Sequence, residues 1–296
     1  MQPLRIVFAG SPAAAVPSLE ALLSSSHDVV AVVTREDSPQ GRRRVLTPTP
    51  VAEAADAAGV PVVKANRLGP VTDELIALGA DLGVIVAYGG LIREPLLSAP
   101  RLGWINLHFS LLPRWRGAAP VQRAVMAGDT QTGVAVFRLV PELDAGDLLG
   151  TQTHAIGANQ TAGHLLTALA AAGAPLLVRV VDELAAGTAH GEPQSGDVTL
   201  APKLSLADGR LDWSRDAASV DAQLRGVTPE PGAFTTVDDQ RLKVHAAAIA
   251  HGLPPLAPGR IEERGGRVLA GTATDPLELL EVQPAGKRTM SAADWW

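Results

Sequence analysis

The alternation at the amino end restricts the fold more than any other part of this chain. Leu4 to Ala9 is an unbroken apolar run closed by Gly10. Val16 to Ser25 then sets Leu19, Leu22 and Leu23 at helical spacing, and Val29 to Val33 is a second apolar run. A strand that is apolar on every residue has to be covered on both faces, and helical crossovers between parallel strands supply that cover. The same rhythm continues in helices at Ala52 to Ala58 and Val71 to Leu78, and in strands at Val60 to Val63 and Leu82 to Ala87. A mostly parallel, Rossmann-like α/β domain is expected. The turn Gly10-Ser11-Pro12 has neither Gly-x-Gly-x-x-Gly nor a Lys-Ser pair, so it reads as a tight turn and not a nucleotide loop.

Past Leu82 to Ala87 comes Tyr88-Gly89-Gly90, and two glycines after a central strand permit close approach of a ligand to the backbone. Leu102-Gly-Trp-Ile reads as the next buried strand, with Asn106 and His108 two apart at its end. At a strand's period of two, the amide and the imidazole share one face. Pro113 stops the strand, Arg114 and Arg116 flank Trp115, and a short helix follows from Ala118 to Ala127. Polar groups where a strand of an open α/β sheet gives way to a loop and helix are how such sheets build sites. An ordinary strand–loop–helix with a solvated basic loop fits the pattern equally well. Thr132 to Leu139 alternates as a strand and leads into residues 140–147, which hold Glu142, Asp144 and Asp147.

Composition removes several kinds of chemistry. There is no cysteine, so disulfides, thiol catalysis and Cys-ligated zinc are excluded together. The seven histidines show no metal-binding spacing, and no metal is expected. The net charge of −6 leaves nucleic acid to a local patch such as Arg42-Arg43-Arg44, which sits on a Gly/Pro-rich stretch from Arg35 to Pro50. Arginine suits phosphate, although composition there favours a solvated surface. The apolar segment at Ile6 to Ala9 is too short for a signal peptide, and the longest apolar stretch, Leu165 to Val178, is short of a membrane span. A cytoplasmic monomer with no membrane contact is expected.

Ala162 to Leu184 is a long apolar helix whose Gly173-Ala-Pro175 predicts a kink or break. Composition then turns to Ala, Gly, His, Glu, Pro and Gln, which reads as a linker. Beyond it lie one helix, Ala217 to Arg225, and many short strands, the pattern of a small β-barrel. The expected organisation is a domain over 1–190, a linker over 191–205 and an OB-like β-barrel over 206–296.

The motifs resemble a family. Asn106-Leu-His108, then Ser110-Leu-Leu-Pro113-Arg-Trp-Arg-Gly-Ala-Ala-Pro120, with Leu143-Asp144-Ala-Gly146-Asp147 downstream, are similar to the folate-dependent formyltransferases. Phe8-Ala-Gly-Ser-Pro, Pro39-Gln-Gly-Arg-Arg-Arg, Val86-Ala-Tyr-Gly and Pro284-Ala-Gly-Lys-Arg-Thr-Met-Ser carry the likeness nearly end to end. Within that superfamily the chain most resembles the branch that acts on initiator methionyl-tRNA. The resemblance implies transfer of a formyl group from 10-formyltetrahydrofolate to the α-amino group of methionine on that tRNA. It also implies Asn106, His108 and Asp144 as the catalytic trio. The implied folate cleft is Ala87, Tyr88, Gly89 and Gly90, with Ser110, Leu111, Leu112 and Pro113, and with Leu139 and Val140. Arg42, Arg43 and Arg44 are implied as an arm against the tRNA. An amide can stabilise an oxyanion and an imidazole can manage protons, and either His108 or Asp144 is open as the proton acceptor.

Two rivals follow from the same residues. A sugar-nucleotide formyltransferase would share the trio but has no use for the arginine arm. A non-catalytic RNA-binding module would have no use for the trio. From Asp208 on, acids slightly outnumber bases, so tRNA contact by that region needs Arg225, Lys243, Lys287 and Arg288 to cluster.

Overall fold

A computed structural model describes residues 2–41 and 43–296, so Arg42 lies outside the described residues. The chain divides into two compact units. The first comprises the chain up to Ala118 with Gly133–His154 and Leu166–Leu200; the second comprises Ala119–Thr132, Ala155–Leu165 and Ala201–Trp296.

The first unit begins as the sequence predicts, with β1 (Arg5–Gly10), α1 (Val16–Leu23) and β2 (Asp28–Thr34). A small hairpin of β3 (Ser38–Gln40) and β4 (Val45–Thr47) follows, then α2 (Pro50–Ala57), β5 (Val62–Lys64), α3 (Thr72–Ala77), β6 (Leu82–Val86) and β7 (Trp104–His108). After α4 (Pro120–Met126) come β8 (Gln131–Arg138), β9 (Leu148–Ala155) and α5 (Ala162–Ala186). The main sheet has the order β5-β2-β1-β6-β7-β8-β9. β5, β2, β1, β6 and β7 run parallel, and β8 is antiparallel to β7.

Every residue of β1 from Ile6 on is buried, as two covered faces require. Val7 and Ala9 share a cluster with Val33, Ile85, Tyr88 and Trp104. From β1 the chain builds outward to β2 and β5, then crosses to β6 on the other side. The order reverses between β1 and β6, and an open α/β sheet binds ligands outside the carboxyl ends of its strands at such a point. Loops leaving β1, β6 and β7 emerge at that edge together.

Gly173-Ala-Pro175 does not break α5, which runs unbroken through Pro175. Buried Leu169 and Ala170 before the proline and Leu176, Leu177, Val180 and Val181 after it anchor the helix on both sides of the lost hydrogen bond. A Cβ added at Gly173 would stand 2.9 Å from Leu107 Cδ2, so this glycine sets how closely α5 approaches β7. α5 also continues past the apolar run seen in the sequence. At 25 residues, with a mean hydropathy of 1.7 over its most apolar 18-residue window, it is long and apolar enough to cross a membrane, which corrects the expectation that no segment is. Half of that window is buried inside the protein, as in the core helix of a folded domain.

The second unit holds α6 (Ala217–Gly226) and β10 (Ala233–Val237), β11 (Gln240–Ile249), β12 (Ile261–Arg264), β13 (Arg267–Ala270), β14 (Leu277–Pro284) and β15 (Met290–Ser291), then α7 (Ala292–Trp295). The strands form an antiparallel sheet ordered β10-β11-β14-β13-β12, with β15 on β14. It curls into a half-barrel, as the short strands predict. Trp213, Val220, Leu224, Val244, Leu279 and Val282 fill its core. Ala119–Thr132, expected with the first domain, groups here because α4 packs on α6, where Met126 lies against Gly226. Residues 191–200, expected in the linker, group with the first unit through hydrogen bonds described below.

Candidate active site

β7 delivers the first two residues. Its register sets Asn106 against Ile85 on one side and Phe137 on the other, and His108 against Ala135. The Asn106 side chain is half-exposed and makes no hydrogen bond among the described residues, so its amide N–H is available to a ligand. His108 is 6% exposed. Its Nε2 donates to the Trp115 carbonyl at 2.9 Å, and the Phe137 ring meets it edge-on at 6.3 Å between centroids.

Asp144 arrives by a longer route. β8 leaves the sheet opposite Ile105, so residues 139–147 must fold back along β7 to reach His108. Asp144 takes a left-handed conformation, φ 46°, within that turn. Gly146 is required there, since an added Cβ would lie 1.9 Å from the Arg138 carbonyl oxygen. The Gly117 N–H donates to Asp144 Oδ2 at 2.7 Å, which leaves that oxygen 3.9 Å from His108 Nδ1.

The electrostatics follow from this enclosure. Burial pushes the His108 pKa below the ordinary histidine value, while the Asp144 carboxylate and the Trp115 carbonyl pull less strongly the other way. The ring is therefore neutral at pH 7. With the Nε2 proton committed to Trp115, the lone pair sits on Nδ1 and faces Asp144. A neutral imidazole beside a carboxylate can accept a proton and be stabilised once charged.

The pH dependence follows. The neutral form of His108 is fully present above the ordinary histidine pKa of about 6.5, and it is lost only as pH falls through the lowered value in the folded protein. The α-amino group that the resemblance implies as acceptor must also be neutral, and such groups titrate at about 7.7–8.0. Log(kcat/KM) is expected to fall with unit slope through the amine's range and to steepen to two protons only below about pH 6.5. A second limb above that value contradicts a buried, neutral His108.

The other expected residues are placed as follows. Ser110 is fully buried, and its Oγ donates to the Arg114 carbonyl at 2.6 Å, closing its own turn. Leu112 packs with Ala135 and Phe137, and Leu139 lies against that group. Leu139 also lies against the cluster that holds Tyr88, as does Ile92. Leu111 and Val140 are half-buried and Pro113 is buried. The Tyr88 side chain is core, its hydroxyl donating to the Ala65 carbonyl at 2.6 Å, and the residue is 1% exposed. Ala87 and Gly89 are exposed with φ of 49° and 76°, and Gly90 is half-buried. Arg35 holds this loop through the carbonyls of Tyr88 and Gly89. Arg43 and Arg44 are exposed on the β3–β4 turn with no ion-pair partner among the described residues. Beside them Val45 and Leu46 are 59% and 67% exposed. In the second unit Lys243 pairs in register with Gln283, whose Nε2 donates to the Lys287 carbonyl, whereas Arg225 is engaged by Asp221 at 2.7 Å. No group of three metal-ligating side chains occurs among the described residues.

Sequence reasoning missed Gln194 and Thr199. Gln194 Nε2 donates to the carbonyls of Asp144 and Gly146 at 2.7 and 2.9 Å, and its Oε1 accepts from Arg116 Nη2 at 2.6 Å. Thr199 Oγ1 accepts from the Trp115 N–H at 2.8 Å. Both lie in a stretch of linker-like composition, where single polar residues carry no periodic signal.

Comparison with known proteins shows the family and the fold. A formyl transferase family model matches residues 4–181, and a model of the formyl transferase C-terminal domain matches 203–296. A methionyl-tRNA formyltransferase of Clavibacter michiganensis subsp. michiganensis is 61% identical over 294 residues, covering 99% of this chain and 96% of that one. One of Leifsonia xyli subsp. xyli is 58% identical, covering 99% and 97%. Among solved structures, an N-formyltransferase of Helicobacter canadensis in complex with folinic acid and dTDP-3-aminofucose shares the fold with a TM-score of 0.72 at 15% identity, covering 95% of this chain and 99% of that one. HypX of Aquifex aeolicus in complex with tetrahydrofolic acid shares it with a TM-score of 0.64 at 16% identity, covering 99% of this chain and 47% of that one.

Proposed function

Because the chain belongs to the formyl transferase family, we infer that it moves the formyl group of 10-formyltetrahydrofolate onto the α-amino group of methionine carried by initiator tRNA. What supports this reading is a free amide at Asn106 and a buried imidazole at His108, two residues apart on β7, with the Asp144 carboxylate 3.9 Å from the ring. The high identity to two methionyl-tRNA formyltransferases selects the acceptor.

When bound, 10-formyltetrahydrofolate supplies a formyl carbon to the amine; negative charge develops on the formyl oxygen, and the amine nitrogen must lose a proton. Asn106 donates its amide N–H to that oxygen. His108 takes the amine proton on Nδ1, and Asp144 stabilises the charged ring. His108 then returns the proton to the departing folate nitrogen. The Ala87–Gly90 backbone, Ser110 to Pro113 and the pair Leu139 and Val140 are our assignment for the folate cleft. Exposed Ala87 and Gly89 offer backbone groups, and Leu112 and Leu139 offer apolar surface; a pterin, with a polar edge and flat faces, suits both kinds of contact. The division at 1–190, 191–205 and 206–296 corresponds in this reading to formyl transfer, a connection and a second tRNA-holding domain. The protein is inferred to act in the cytoplasm, as a monomer.

The assay is formylation of initiator methionyl-tRNA against a 4-amino sugar nucleotide, each with 10-formyltetrahydrofolate. The tRNA is the expected acceptor. Transfer to the sugar with none to tRNA overturns the assignment.

The arm yields a separate expectation. Changing Arg43 and Arg44 to alanine is expected to raise KM for tRNA and to leave folate binding unchanged. Each lost phosphate contact flattens the salt dependence, by roughly 0.9 in the log–log slope. Equal losses for tRNA and folate contradict a phosphate role.

A further inference from the structure

The stretch from Glu192 to Leu200 has the composition of a connection but the bonding of a strap. Leu148 and Glu192 exchange backbone hydrogen bonds at 2.8 and 2.9 Å, and the Arg116 N–H donates to the Thr199 carbonyl at 2.9 Å. Between those ties Gln194 and Thr199 are half-buried, and the residues around them are exposed. Of these two side chains, one ties to the backbone of Asp144 and the other to the residue that bonds His108. Gln194 spans three anchors: its carboxamide N–H group takes the carbonyls of Asp144 and Gly146, and its oxygen takes the Arg116 guanidinium. Thr199 fixes the Trp115 N–H, and the carbonyl of that same residue receives the Nε2 proton of His108. Trp115 and Asp144 both sit at positive φ, 61° and 46°, where non-glycine backbone needs outside support.

We propose that Gln194 and Thr199 are positioning residues for the reaction: Thr199 sets the tautomer and orientation of His108 through Trp115, and Gln194 sets the reach of Asp144 through its backbone. Neither touches substrate in this account. The strap couples the acidic loop to the Trp115 turn, two segments also joined by the Gly117 N–H bond to Asp144. This rests on the reading of His108 and Asp144 given above.

The chemistry of each side chain dictates the variants. Thr199→Val keeps the shape and removes the acceptor for the Trp115 N–H. Thr199→Ser keeps the acceptor. Gln194→Glu keeps the pairing with Arg116 and loses both donors to the carbonyls, and it brings negative charge toward the Asp144 loop. Misplacing a reacting group by about 1 Å can cost about 10²-fold in rate. Thr199→Val and Gln194→Glu are each expected to lower kcat by about 10–100-fold, with KM for 10-formyltetrahydrofolate within about twofold. Thr199→Ser is expected to stay within about threefold of the parent. Looser seating admits water to His108, and the added carboxylate favours its charged form, so the lower acid limb is expected to move up toward the ordinary histidine value in both impaired variants. Asp144 is the ionisable group set against that ring, and Phe137 closes its other side.

The experiment is kcat, folate KM and pH profile for the three variants at a temperature well below each Tm, beside the parent chain. Unchanged kcat in Gln194→Glu, an unmoved acid limb, or Thr199→Ser as impaired as Thr199→Val overturns the proposal. Should Thr199→Val not fold, Gln194→Glu and Thr199→Ser decide alone. A parent chain without formyl transfer sinks the underlying assignment, whereas an active parent with indifferent variants sinks only this one.

Discussion

Replacing His108 by alanine is expected to lower kcat by about 10²–10⁴-fold, the usual yield of a positioned acid–base group, while 10-formyltetrahydrofolate binding survives. The reasoning runs from burial to proton. An imidazole 6% exposed, its Nε2 proton given to a backbone carbonyl, presents one lone pair to the site. That lone pair faces a carboxylate oxygen 3.9 Å away, beyond a hydrogen bond but close enough to stabilise the ring when it charges. The other ionisable member of the pair, Asp144, has its Oδ2 held by the Gly117 N–H. Steady-state kinetics with initiator methionyl-tRNA check the loss. Full binding of folate by the same variant separates lost chemistry from lost folding. A variant that retains more than about a tenth of kcat means that His108 does not move the proton.

Asn106→Ala is the other large effect, expected at about 10²–10³-fold in kcat, which is what removal of one oxyanion donor costs. Here the KM for both substrates is expected to stay near that of the parent. A donor that engages only where charge develops contributes to the transition state and not to ground-state binding. The side chain's lack of an internal partner supports this role, since nothing in the described structure would be left unpaired by its removal. A large rise in KM with unchanged kcat assigns Asn106 to substrate binding instead.

Much of the first unit was legible because its signals are local. Leu4 to Ala9 is apolar at every position, and β1 lies buried in the middle of the sheet. The spacing of Asn106 and His108 set both on one face at a strand end, where β7 places them, but that pattern fitted a plain loop equally well and only the resemblance to a family gave them a role. Asp144 did not: it reaches His108 by a loop that folds back along the sheet, and such a path leaves no period in the sequence, so only its resemblance to a family motif marked it. At Gly173-Ala-Pro175 a break did not follow, because a glycine needed for close packing against Leu107 looks the same in sequence as a helix breaker. Gln194 and Thr199 were invisible for a related reason. Their partners are backbone groups of distant loops, and composition alone gives such a stretch to a linker. In the second unit the short strands were legible and the half-barrel followed, but not the grouping of α4 with α6.

The most direct test is formyl transfer from 10-formyltetrahydrofolate to initiator methionyl-tRNA by the Asn106→Ala/His108→Ala double variant, with folate binding measured on the same protein. The expected result is transfer below about 10⁻³ of the parent rate with folate still bound. Transfer at a rate near that of the parent would contradict the assignment of these two residues as the reacting groups.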